Sequence, residues 1–231
     1  MSIIDIIKEM NVAGVNCIII NDHDTFSLTY DELALFDSAS IIVFNAIEFT
    51  TKEGIHVIGI HKEIKSIECD PFTYSLLELL SILKTLEAKI ILPHPYHGTG
   101  VYGNVNIHNN TFEKAVLLAD GFEVDNYRYG KTPDEIINKI QKINPTITKL
   151  IGSDAHSSKE VSSFINTYEE TDEMDLLECI FTHEPKFKRN KNRTKVYFKI
   201  KRIQKTKFYQ TILNLFSVEI RHKIKLFLNL R

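Results

Sequence analysis

Five apolar runs in this chain meet a histidine or a carboxylate at or near one end. The run into Ile151-Gly-Ser-Asp-Ala-His-Ser157 delivers Asp154 and His156 one residue apart. Asn21-Asp-His-Asp-Thr25, Ala46-Ile-Glu48, Gly54-Ile-His-Val57 and Pro93-His-Pro95 repeat the arrangement. A parallel α/β protein brings the carboxyl ends of its strands to one face, so donors placed there converge in space. Imidazole and carboxylate donors on one rim suit Zn, Mn or Fe. The pattern therefore demands a fold that gathers strand ends around a metal cluster. Two metals roughly 3.5–4 Å apart can clamp a phosphate and activate a water, and a bridging carboxylate is the natural link between them. Glu48 is the candidate bridge.

The rest of the chain supplies the alternation such a fold needs. Ser2 reads as an N-cap, with Asp5 placed as in a capping box, Ile3, Ile7 and Met10 on one helical face, and Gly14 as the stop. Strands are expected at 15–20, 41–47, 55–60, 89–92, 121–124 and 149–152. Helices are expected at 29–36, 74–87, 112–118, 133–143 and 174–181. Alternation of this kind implies βα units and a mostly parallel sheet or barrel. Residues 96–110, rich in Gly and Asn, read as a long loop beside His94, of the kind that often serves as a functional lid.

Charge divides the chain. Residues 1–183 hold 13 basic and 28 acidic side chains, a net of −15, whereas residues 184–231 hold 15 basic and 2 acidic, a net of +13. The split predicts an acidic body at 1–183 and a basic tail at 184–231. Within the tail, 186–193 reads as a linker, 196–203 as strand or helix, and 208–230 as a cationic amphipathic helix able to make peripheral membrane contact. Nucleic acid is disfavoured, because the tail's aromatics interleave with cations but form no known module. Cys17, Cys69 and Cys179 are scattered and include no C-x-x-C pair, which fits reduced thiols and a cytoplasmic location. The start carries acids where a signal peptide needs basic residues, and no run of 18 apolar residues exists.

The order D-H-D-T, I-E, G-I-H-V-I-G, H-P, E-x-x-N, G-S-D-A-H resembles the PHP (polymerase and histidinol phosphatase) superfamily of metal-dependent phosphoesterases, particularly its small stand-alone members. The likeness covers roughly residues 1–170. It implies a distorted (β/α)7 barrel, here incomplete at the N-terminus and followed by the basic tail. It implies one to three divalent metals per chain, held by His23, Glu48, His56, His94, Asp154 and His156. Catalysis would fall to Glu48, Asp154 and His156, acting on a small phosphorylated substrate by a metal-activated water. His97 lies where relatives often carry a phosphate-binding Arg, and Asn126 and Arg128 follow the Glu123 strand as further substrate contacts. The family's opening D-x-H-x-H strand and S-D-G turn are not matched, and Asn21 replaces the usual Thr. The resemblance thus implies a chain that begins just past the first ligand motif, with low activity for residues 1–231 alone. The alternative reading is a degenerate, non-catalytic PHP module that binds metal or phosphate in a regulatory or scaffold role.

Overall fold

Apolar side chains alternate with period two along the strands, and the two parities go to different cores. In the computed structural model, which describes residues 1–169 and 175–190, Ile47, Val57, Ile90, Leu92, Phe122 and Ile151 join one cluster with the helices α3, Leu76–Thr85, α4, Asn109–Leu118, and α5, Asp134–Ile143. Ala46, Ile58, Ile60, Ile91 and Leu150 join a smaller one with Ile180 and Phe181 of α6, Leu176–Thr182. These strand residues belong to β2, Ile42–Thr50, β3, His56–Ile60, β4, Lys89–Leu92, β5, Gly121–Asn126, and β7, Thr148–Gly152. The first parity faces helices. The second is apolar at one end of the strands and carries Glu48 and Glu123 further along.

The sheet runs β1, Cys17–His23, then β2, β3, β4, β5 and the two-residue β6, Gly130–Lys131, with β7 also pairing β5. It is a curled half-barrel rather than a fully parallel one. β1 with β2, β4 with β5 and β5 with β7 are parallel, but β3 is antiparallel to both β2 and β4. The expectation of a mostly parallel sheet is corrected at β3 for a physical reason. The tight turn at Thr51–Gly54 reverses the chain, and its bonds Thr51 N to Ile55 O and Gly54 N to Thr51 O close a hairpin. Reversal puts the first residue of β3, His56, opposite Thr50 at the last residue of β2. A histidine at the start of its strand therefore reaches the same rim as donors at the ends of others. Among the described residues β1 pairs only with β2.

α1, Ile3–Ala13, ends as the sequence requires. Gly14 adopts φ 70°, its N–H bonds Asn11 O, and Val15 N bonds Met10 O at 3.0 Å, the paired bonds of a Schellman cap. Met10 and Val15 share the cluster that α1 forms with α2, Tyr30–Ser38, and β1. Ser2 makes no side-chain capping bond, so the expected box at Ser2 and Asp5 is not formed. Capping boxes stand instead at Thr29 with Glu32 and at Ser75 with Glu78.

Three strands were not anticipated, the two-residue β6 and a separate pair. β8, Phe164–Thr167, pairs antiparallel with β9, Lys186–Arg189. The expected linker at 186–193 is therefore strand through Arg189. Burial of Phe164 and the bond from Arg189 Nε to Asp125 Oδ2 at 3.0 Å tie that strand to the body. The segments expected at 196–203 and 208–230 lie outside the described residues. No helix among the described residues is long and apolar enough to cross a membrane.

Gly14→Ala should cost about 1 kcal/mol, because the left-handed conformation penalises a Cβ even where nothing crowds it. Urea denaturation checks this, and a variant as stable as the parent would contradict the role given to the cap.

Candidate metal centre

Glu48 sits next to the end of β2 with 7% of its surface exposed. Parallel pairing sets it opposite His23, the last residue of β1. His56 opens β3, and His94 follows β4 between two prolines. His56 Nδ1 lies 2.9 Å from Glu48 Oε1, His94 Nε2 lies 3.4 Å from the same oxygen, and His23 Nε2 lies 4.0 Å from Oε2. Asn21 Nδ2 donates to Oε2 at 3.2 Å. Three imidazoles and one amide thus converge on a single buried carboxylate. The imidazoles pack edge to face, with His23 and His56 centroids 4.8 Å apart and His56 and His94 5.3 Å apart.

This crowding is not satisfied by hydrogen bonds alone. His56 Nδ1 is close to Glu48, yet the angle is wrong for a bond, and Nδ1 of both His56 and His94 is buried without a hydrogen-bond partner. Buried polar atoms are rarely left so, and donors that converge without pointing at one another are arranged as ligands of a shared ion. His23, Glu48 and His56 each offer an atom within 4.8 Å of the others. The donor set fits a divalent transition metal.

Asp154 and His156 complete the rim after β7. Their backbone turns sharply, with Asp154 at φ 45°. His156 Nδ1 meets Asp154 O at 3.0 Å, and its ring lies 6.5 Å from that of His23. All six residues expected as ligands therefore share one rim.

Electrostatics mark the same place. Burial pushes Glu48 up, but His56, His94 and His23 outweigh it and hold the carboxyl below the usual range. Burial pushes Asp154 up, and the charge of Glu48 adds to it. Burial tends to lower His94, yet Glu48 and Glu123 together raise it. Glu123, fully buried, is pushed up to about 7, mainly by desolvation.

Glu123 was missed as a site residue in the sequence. Its Oε2 accepts His94 N–H and Asn126 Nδ2, each at 2.8 Å. A β-bulge between Glu123 and Asp125 re-aims this end of β5. Gly152 makes the room, since a methyl there would overlap Glu123 Oε1. The E-x-x-N motif contains it, but its role rests on His94 N–H and on the space at Gly152, which follow β4 and end β7. Asn126 is buried, and its amide oxygen accepts the N–H groups of Arg128 and Tyr129. Arg128 bonds Asp154 O and Glu160. His97 stacks on Tyr129 at 3.8 Å, and Tyr129 meets the edge of His94 at 4.8 Å. The loop expected at 96–110 is without helix or strand as far as His108, after which α4 begins at Asn109.

No family model and no curated protein matches the sequence. Solved structures do match. PsfC from Pseudomonas syringae superposes with a TM-score of 0.57 at 12% identity, over 90% of this chain and 88% of that one. A protein of Bifidobacterium adolescentis described as a metal-dependent phosphoesterase gives 0.52 at 12% identity, over 68% and 83%. The lesion-specific endonuclease PfuEndoQ of Pyrococcus furiosus gives 0.50 at 16% identity, over 70% of this chain and 46% of the endonuclease. The chain shares its fold with these proteins. In this fold the Glu48 rim is where the strand ends gather.

Two outcomes follow from Glu123. Gly152→Ala should destabilise the protein by about 1–3 kcal/mol, the usual cost of overpacking, with thermal unfolding as the measurement. In chelator-treated protein, a group raised from 4.5 to about 7 contributes stability that is whole below 4.5 and lost as pH climbs through 7. Glu123→Gln should therefore gain on the parent between pH 5 and pH 8, by at most ~3 kcal/mol. A difference that stays flat across those pH values would refute the assignment.

Proposed function

We propose that this chain hydrolyses phosphate esters with one to three divalent metal ions held by His23, Glu48, His56, His94, Asp154 and His156. The observation that carries the reading is the convergence of three imidazoles on buried Glu48. The likeness in fold to a protein described as a metal-dependent phosphoesterase and to an endonuclease supports phosphoester chemistry in general. When bound, Zn, Mn or Fe would supply charge neutralisation at the phosphoryl oxygens and an activated water.

The chain's own residues set the rest. Glu48 stays ionised across the physiological range and so offers both oxygens, one toward His56 and His94 and the other toward His23. His156 is exposed at the mouth of the site, while Asp154 lies beside it, mostly buried. A small phosphorylated substrate would enter across Asp154 and His156, with His97 and Tyr129 beside His94 at the rim. Glu48, Asp154 and His156 are the candidate catalytic residues, and His97 and Asn126 the candidate substrate contacts. The reading takes the body of 1–183 together with β9 through Arg189, with peripheral membrane contact left to the rest of the basic tail and the cytoplasm as its location.

One observation favours a second reading. Among the described residues the outer edge of β1 is unpaired, so no further donor reaches the rim from that side. A metal-binding module without turnover fits that arrangement.

Elemental analysis after mild purification should find at least one Zn, Mn or Fe per chain. A His94→Ala, Glu48→Ala double variant should lose it, and metal content that is zero in the parent or unchanged in the variant would sink the proposal. With Mn supplied, hydrolysis of p-nitrophenyl phosphate should fall by about 10²–10³ in Glu48→Gln, the usual cost of removing one element of charge stabilisation. Tight metal binding without turnover in the parent would favour the module instead.

A further inference from the structure

Arg128 reads in sequence as a phosphate contact, but its guanidinium is committed elsewhere. Nε donates to Asp154 O at 2.7 Å and Nη2 donates to Glu160 Oε2 at 3.1 Å, with the side chain only 12% exposed. Glu160 Oε2 also accepts His156 N–H at 2.8 Å. The three bonds close a circuit around the turn that presents Asp154 and His156. We propose that Arg128 and Glu160 form a brace that sets Asp154 and His156 as a ligand pair, making both positioning residues for metal uptake.

Both ends of the brace are anchored. The N–H groups of Arg128 and Tyr129 bond Asn126 Oδ1 at 2.9 and 3.1 Å, and Tyr127 N bonds Gly152 O at 2.9 Å. Glu160 closes a short 3-10 turn, Ser158–Glu160, and the next residue, Val161, packs into the cluster built on α1. Between these ends Asp154 holds φ 45°, a conformation a non-glycine residue keeps only when its surroundings over-determine it. The guanidinium supplies that constraint. It also lies 3.8 Å from Asp154 Oδ1, offsetting the repulsion that Glu48 exerts on that carboxylate. A planar fork can bond a carbonyl and a carboxylate at once; a lysine ammonium on a flexible stem cannot replace it.

The proposal rests on the metal-dependent reading above, and the test separates the two. The full chain, stripped with chelator, is titrated with Mn or Zn alone, as parent, Arg128→Lys, Glu160→Gln and the double variant. Circular dichroism checks each fold. A parent that takes up no metal overturns the underlying reading and the brace with it. If the parent loads, each single variant should lose at least about tenfold in affinity for the ions that need Asp154 and His156, as removal of a supporting shell commonly does. Uptake at the Glu48, His56 and His94 set should persist. The double variant should be little worse than the poorer single one, because the two residues act as a unit. Inorganic phosphate binding to the loaded proteins supplies the contrary outcome. Unchanged metal uptake in both variants, with phosphate binding weakened in Arg128→Lys alone, would make Arg128 a substrate clamp and overturn the brace. Should Arg128→Lys fail to fold, Glu160→Gln decides: normal metal uptake there overturns it equally.

Discussion

An ionised carboxylate buried to 7% exposure is expensive, and much of this structure compensates Glu48. Removing such a group from water costs several kcal/mol even after relaxation. One amide and three imidazoles surround it. Two buried Nδ1 atoms among them have no hydrogen bond at all. The cluster is under-compensated as a set of hydrogen bonds and well matched as a set of ligands. A cation resolves both deficits together, because it takes up ring lone pairs and neutralises the carboxylate. The energetic gain from such an ion would also be folding energy for the rim.

That concentration of donors follows from topology. In a wholly parallel sheet, a histidine at the start of a strand would lie at the far end from Glu48. The hairpin between β2 and β3 reverses one strand and brings His56 across. The same parity of the sheet is apolar where α6 covers it and polar one step beyond, so the sheet changes from core to site within single strands. Gly121 and Gly152 mark the two regimes. The first lies against Leu150 and Phe181, the second against the Glu123 carboxylate.

The sequence carried the site better than the architecture around it. His23, Glu48, His56, His94, Asp154 and His156 were legible because each adjoins an apolar run, and strand ends are where a parallel sheet puts its chemistry. The helix stop at Gly14 was legible because its cause is local. The reversal at β3 was not, since an apolar run reads the same in either direction. β8 and β9 were not, because Lys186–Arg189 is charged and gains strand character only from pairing with Phe164–Thr167. The Ser2 box failed for the opposite reason: the local pattern was present, but its side-chain bonds did not form. Glu123 and Glu160 escaped notice because one decisive partner of each, His94 and Arg128, is 29 and 32 residues away in the chain.

The rim also shows how a site can be ordered without help from the deep core. Six non-glycine residues among those described hold positive φ, and three of them, Asp24, His94 and Asp154, lie at the ends of the ligand-bearing strands. Each costs on the order of 1–2 kcal/mol in backbone energy. Each is fastened by a side-chain bond from another element. Both oxygens of Asp24 accept from Thr50 at 2.6 Å, His94 N–H bonds Glu123, and Asp154 O bonds Arg128. The fasteners repeat one logic across three strand ends: a sharp turn re-aims a donor, and a polar contact from a neighbouring strand or turn holds it there. Loss of one fastener should thus release one donor rather than melt the sheet, since the apolar clusters on either face do not include them. Strain and its restraint are both placed where the chain must turn toward the rim.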